Sequence, residues 1–281
     1  MRAQTVADEP EKTLETLVTP RPKAAWVDGV ESVGRTVMSV VTDVGAITSL
    51  GVDVAKWSVR PPFRAFNLFA QLDFVGVGSI LIVAFTGVFS GMVFAHQSAR
   101  AFEMFNATSL VGPTVALTIT RELGPVFTAL MVTMRAGSAM CTELGTMRVT
   151  EQVDALETMA VSPIQYLLVP RVLAGLIMVP VLTMVFDTTG LAGGYFVSVL
   201  VKGVSAGTFL TRTHQWLDPE DIAEGLIKGA VFGLTVSLIG CYKGYHATGG
   251  AKGVGNATTE AMVASALAIF ILDYLVGVML H

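Results

Sequence analysis

One uncharged run narrows the possible folds of this chain more than any other feature. Residues 74–95, FVGVGSILIVAFTGVFSGMVFA, contain no Asp, Glu, Lys or Arg. As a helix rising about 1.5 Å per residue, they reach across the roughly 30 Å hydrocarbon core of a bilayer. Four more apolar stretches follow, at about residues 110–134, 164–200, 222–242 and 257–280. Backbone groups in lipid must find hydrogen-bond partners inside their own segment, and runs of this length do so as helices. The sequence therefore predicts an all-α integral membrane protein whose five transmembrane helices leave the termini on opposite faces.

Composition agrees. Hydrophobic residues make up 52% of the chain and charged residues only 14%, against roughly 25% charge in an ordinary soluble domain. A formal charge of -4 offers no basic footprint for nucleic acid, and that class of partner is excluded. Cys141 and Cys241 each lie in an apolar stretch without metal-ligand spacing, so both are expected to be buried thiols. His96, His214, His246 and His281 are scattered and form no H-E-x-x-H pattern, and no metal site is expected.

Residues 1–23 are rich in charge and hold three prolines, which predicts a disordered cytoplasmic tail. No apolar stretch follows Arg2, so the segment is not expected to be a signal peptide. Residues 24–72 carry apolar positions at Val30, Val33, Val37, Val40, Val41, Val44 and Ile47, spaced by threes and fours among charges. That is an amphipathic helix. Continued past Pro61 and Pro62 into FRAFNLFAQL, it reads as an interfacial elbow or as a soluble helical hairpin. The remaining residues, 73–281, form the five-helix membrane domain.

Lys56, Arg60 and Arg64, then Arg148 and Arg171, then Lys243 and Lys252 gather at alternate span ends, while the opposite loops offer Arg100, Lys202 and Arg212. The positive-inside bias puts the N-terminus and the loop between spans two and three in the cytoplasm, with the C-terminus outside. Glycines recur every fourth residue at Gly225, Gly229 and Gly233, at Gly240 and Gly244, and at Gly87 and Gly91. Small residues at that spacing let helices approach closely, within the chain or across a dimer.

Spans two and three are separated by RVTEQVDALETMAVSPIQYLLVPR, residues 148–171. Thr150 is placed to cap a helix, Glu151 and Asp154 suit its positive end, and Pro163 is placed to stop it. Val149, Val153, Leu156 and Ala160 share one face and Glu151, Asp154 and Glu157 another. About three turns cannot cross a bilayer. The segment is either a loop helix with a solvated acidic face or a docking helix that carries a soluble partner's movement into the bundle.

Arg121 and Glu122 interrupt span two, and at a helix centre they cost together about 5 to 7 kcal/mol on insertion. The ten Leu, Ile, Val and Phe residues between Leu110 and Val132 return only about 3 to 6 kcal/mol. The two charges must therefore meet protein, water or a lipid head group. Being adjacent on a helix they diverge and need not pair with each other. Partners on other helices and a polar patch at a lipid cavity, with Arg121 facing a phosphate, are both open. Asp187 and Asp273 are further intramembrane acids, either hydrogen-bonded packing residues or parts of a proton relay. TGGAKGVGN reads as a cytoplasmic turn between spans four and five. G-x-x-x-x-G-K-[ST] is absent from the chain, as is any obvious hydrolytic set, so the chain is not expected to be an enzyme.

The segment RELGPVFTALMVTMRAGSAMCTELGTMRVTEQVDALETMAVSPIQYLLVPR, with RPPFR at Arg60, GGAKGVGNATTEAMV from Gly249 and LDYL at Leu272, resembles the MlaE/YrbE family, permease subunits of bacterial MCE-type ABC lipid transporters. The similarity follows family order from about residue 24 to the end. It implies that the short helix is a coupling helix, presenting Glu151, Gln152, Asp154, Ala155, Glu157 and Met159 to a cytoplasmic ATPase dimer that uses ATP and Mg²⁺, this chain binding no cofactor itself. It implies also a permease homodimer in the bacterial inner membrane, a periplasmic MCE-domain hexamer, a small STAS-domain protein and a phospholipid substrate moved to maintain outer-membrane asymmetry. Arg121, Glu122 and Leu123, with Phe94 and Gln97 of span one, are then candidates for the lipid pocket. The family usually has Gly where this chain has Ala160, a change expected to stiffen the helix end. A proton-coupled transporter, an MCE-type importer of sterol or fatty acid, and a non-transporting scaffold are the other readings.

Overall fold

The structure, a computed structural model, describes residues 25–61 and 65–280. The expected tail at 1–23, together with Arg64 and His281, lies outside the described residues. The chain divides into two units, residues 1–46 and 47–281. The first unit contains the beginning of α1 (Ala25–Ser58), where Met38, Val41 and Val44 are exposed. The second unit holds the end of α1 and the helices that follow it.

Among the described residues, five helices are long and apolar enough to cross a membrane: Ala65–Glu103, Thr108–Val149, Ile164–Val201, Pro219–Tyr245 and Gly250–Leu280. The first three run to 39, 42 and 38 residues, or roughly 57 to 63 Å of helix, about twice the hydrocarbon thickness. The apolar runs in the sequence marked the middle of the first of these helices, the first part of the second and nearly all of the third. The first consists of α2 (Ala65–Val75) and α3 (Val77–Glu103), separated at Gly76. The second is α4 (Val111–Thr118), α5 (Gly124–Val132) and α6 (Ser138–Val149), joined by π-helical turns at Ile119–Leu123 and Thr133–Gly137. A short helix, α7 (Gln152–Thr158), leads to α8 (Val169–Tyr195), then come α9 (Ala206–Trp216), α10 (Pro219–Tyr245) and α11 (Gly250–Leu280).

The starts and stops follow local chemistry. Asp218 caps α10 in a reciprocal box with Asp221, and Pro219 occupies the first turn, where its missing N–H leaves no donor unpaired. Between α10 and α11 the chain reverses at Gly249 and Gly250, whose φ values of 86° and 66° suit glycine. Most of the glycine-rich stretch read as a turn is therefore the first turns of α11; the turn itself is only residues 246–249. The loop expected between spans three and four contains α9, whose Phe209 is buried edge-on against Tyr195, ring centroids 5.5 Å apart.

Helices α8 and α10 form the centre, with α3 packed on α8 and α11 on α10 and α6. The glycine spacings mark these seams. Side chains at Gly91 and Gly233 would run into the carbonyls of Gly190 and Gly175, and at Gly225 into that of Thr120. All three approaches lie within the chain. Cys141 and Cys241 are free and buried, as expected. One apolar cluster, with Val83, Val115, Ile119 and Phe186, fills the space among α3, α4 and α8. A second joins Leu50 and Val54 of α1 to Leu144, Val153, Leu168 and Val172 at the end of the bundle that carries α7.

Candidate functional site

Two places concentrate charge. The first lies in the half of the bundle remote from α7. Within the π-helical turn Ile119–Leu123, Arg121 Nε donates to Asp221 Oδ1 at 2.6 Å, Nη2 meets the same carboxylate, and Nε is 3.8 Å from Glu224 Oε2. Its neighbour Glu122 takes another partner: Lys228 Nζ donates to Glu122 Oε1 at 2.8 Å and to the Arg121 carbonyl at 3.0 Å. Lys228 also lies 3.4 Å from Glu224 Oε1 and 3.5 Å from Asp273 Oδ1. Arg121 and Glu122 thus diverge and find partners on other helices, as their adjacency requires.

The partners Asp221, Glu224 and Lys228 share one face of α10 because they stand at i, i+3 and i+7. Lys228 is 0% exposed. Burying an ammonium is tolerable only where carboxylates and carbonyls replace its water, and here three acids and a backbone oxygen do so. Asp273 of α11 has its basic partner on a different helix. Asp187, 8% exposed, has no such neighbour; it packs at Gly124 and its Oδ1 has no hydrogen-bond partner among the described residues.

The second place is α7. It spans seven residues, two turns rather than three. Thr150 does not cap it: its hydroxyl donates back to the Thr146 carbonyl at 2.7 Å, so it finishes α6. The residue before α7 is Glu151, held at φ 62°, which turns the chain sharply out of α6. Pro163 does not stop α7 either, since that helix ends at Thr158 and Pro163 precedes the π-helical start of the third span at Ile164–Leu168. Ala160 sits beyond the helix at φ 57°, where glycine carries no Cβ penalty.

Val153 is fully buried and Leu156 packs on the same cluster, which seats α7 against α1, α6 and α8. Arg148 bridges to Asp154 at 2.5 Å and lies over the Tyr245 ring at 5.7 Å. The Tyr245 hydroxyl donates to Glu157 Oε1 at 3.4 Å. Two of the three acids therefore have partners inside the chain, while Glu151, Gln152, Ala155 and Met159 face outward.

A family model described as "Permease MlaE" matches residues 68–279, which is most of this bundle and both charged places. The chain belongs to the MlaE permease family. It is 43% identical over 245 residues to a "Probable ABC transporter permease protein" of Rickettsia bellii, covering 87% of this chain and 95% of that one. It is 36% identical over 254 residues to the "Intermembrane phospholipid transport system permease protein MlaE" of Haemophilus influenzae, covering 89% and 96%. A third relative, "Protein TRIGALACTOSYLDIACYLGLYCEROL 1, chloroplastic" of Arabidopsis thaliana, is 41% identical over 211 residues, covering 75% and 60%. As an MlaE permease with five apolar helices, the chain is a multi-pass membrane protein.

In this permease Arg121, Glu122 and Asp273 come together through Lys228. Phe94 and Leu123 pack on the apolar cluster around Ile119 and Phe186, while Gln97 is exposed on α3. Sequence reasoning passed over Asp221, Glu224 and Lys228 because it began the fourth span at residue 222 and counted only its apolar positions. An acid, acid and base in register along the first three turns was the available signal.

Proposed function

We propose that this chain is the membrane-embedded permease subunit of an ATP-driven phospholipid transporter in the bacterial inner membrane. The observation that carries the proposal is the mounting of α7: a rigid two-turn helix, seated on three other helices by Val153 and Leu156, with an outward face free to meet a partner. Family membership and the printed names of the relatives support the same reading. The α7 end lies in the cytoplasm, as the Lys and Arg distribution favours. An ATPase dimer docks there through Glu151, Gln152, Ala155 and Met159, with the tethered Asp154 and Glu157 at its edge. ATP and Mg²⁺ act in that partner.

A diacyl lipid with about 30 methylenes faces an upper-bound cost above roughly 20 kcal/mol if its chains enter water, at about 0.8 kcal/mol each. The path must therefore be an apolar enclosure. Exposed Phe85, Phe89 and Val93 of α3, with Leu267, Phe270 and Tyr274 of α11, supply such walls once a second copy of the chain covers them. Phe94, Gln97 and Leu123 border that space, and Arg121 with Glu122 meets the head group. Periplasmic MCE-domain subunits, six in a ring, then receive or deliver the lipid, with a STAS-domain protein as a further component and outer-membrane lipid asymmetry as the result.

Reversing Glu151, Asp154 and Glu157 together is expected to release the ATPase in a pull-down. Retention of the ATPase, or labelling of a cysteine at 154 from the periplasmic side, rejects the docking role. The buried, unpartnered Oδ1 of Asp187 favours a second reading, proton-coupled transport. That reading requires lipid movement in ATP-depleted vesicles under a proton gradient, and none is expected. Mass spectrometry of lipid co-purified with the intact complex separates phospholipid from sterol or fatty acid; a complex holding no lipid points to a scaffold.

A further inference from the structure

A third polar place lies apart from both sites above. A cavity of about 250 Å³ opens at the α7 end between α2, α6 and the start of the third span, and Gln71, Glu143 and Arg171 are among its walls. These residues come from the start of span one, the end of span two and the start of span three, so chain alternation brings them to one level. Taking those helices as membrane spans, that level is where lipid head groups sit.

Arg171 is 3% exposed. Its Nη2 meets Glu143 Oε2 at 2.8 Å and its Nη1 donates to the Leu167 carbonyl at 3.4 Å, but its Nε is buried with no hydrogen-bond partner among the described residues. Gln71 Oε1 is buried in the same condition. One wall thus carries a donor without an acceptor and another an acceptor without a donor, and a buried polar group left unpaired is costly. The Glu143 side chain, 56% exposed, adds a second acceptor at the rim.

This arrangement selects among ligands. A simple anion satisfies Arg171 but is repelled by Glu143; a simple cation meets the reverse difficulty. A phosphodiester that also carries a primary ammonium satisfies both, with phosphate oxygen accepting from Arg171 Nε and N–H donating to Gln71 and Glu143. A trimethylammonium has no N–H to give. The volume is smaller than the roughly 300 to 1,000 Å³ of pockets that enclose whole drug-sized ligands, and matches a head group whose tails remain outside. Phe66 and Phe69, exposed on α2 next to the cavity-lining Asn67 and Ala70, are placed to lie against such tails.

We propose that this cavity is a head-group site for an aminophospholipid of the leaflet on the α7 side, separate from the Arg121–Lys228 network. The test titrates the purified full-length chain in detergent with dihexanoylphosphatidylethanolamine, dihexanoylphosphatidylcholine and inorganic phosphate, read by native mass spectrometry. Saturable binding of the ethanolamine lipid is expected, with the choline lipid and phosphate each weaker by about tenfold for the unmade hydrogen bonds. Ala70→Trp, which fills the exposed rim and leaves Arg171 and Glu143 paired, and Gln71→Leu should each weaken it by about as much. Equal binding of the two lipids, phosphate binding as tight as the ethanolamine lipid, no binding, or binding unchanged in both variants overturns the proposal. Neither ATPase nor transport enters this titration, so its failure leaves the permease reading standing, and failure of the pull-down leaves this site standing.

Discussion

Glu122 and Glu151 are both acids on helices of a greasy chain, yet their surroundings put them to opposite uses. Glu122, its own side chain 47% exposed, shares the fully buried Lys228 with Glu224, one turn away on α10, and with Asp273 of α11. Glu151 stands at a sharp turn with its side chain exposed. Burial of Lys228 makes its ion pairs a structural commitment, because an ammonium that has left water depends on the carboxylates around it. Exposure leaves a charge available to a partner that the chain itself does not contain. The tethered Asp154 and Glu157 are intermediate: each has a partner, and each remains exposed.

The sharpest way to break this contrast is Lys228→Met. It strands three carboxylates, and a loss of about 3 to 5 kcal/mol is expected in unfolding measured in detergent; a variant that unfolds with the parent shows that the network is not structurally committed. Val153→Ala removes the apolar plug beneath α7 and should cost about 1 to 2 kcal/mol by the same measurement. Its ATPase is expected to remain bound but to hydrolyse ATP with weaker dependence on lipid. Ala160→Gly relieves a non-glycine residue from left-handed backbone and should raise stability by about 1 kcal/mol. Smallest of all, Arg148→Ala breaks a pair open to solvent and should cost no more than about 1 kcal/mol. A larger loss there would place α7 among the committed parts of the molecule.

The membrane class, the number of spans and the close helix seams were legible in the sequence because each rests on a repeated local signal: a long apolar run or small residues every fourth position. The location of α7 was legible too, as a polar interval between apolar runs. Its boundaries were not. Thr150 has the side chain of a cap, but its hydroxyl bonds back into α6, and the helix start shifted to a strained Glu151 that no propensity favours. The α9 helix was hidden because eleven polar-rich residues derive their order from Phe209 packing on Tyr195, a contact absent from local sequence. The π-helical turn under Arg121 was hidden for a similar reason, since the partners that accompany it lie about a hundred positions downstream.

That separation bears on how the chain enters its membrane. Span two has at best a marginal gain from its own apolar residues against Arg121 and Glu122, and their counter-charges are synthesised only with the fourth span. During biogenesis the second helix is therefore expected to settle only once α10 arrives with its partners. A chain truncated after residue 201 should leave position 121 open to aqueous thiol reagents, and the full chain should close it. The order of synthesis, and not only the final packing, is thus written into which helix carries the lysine.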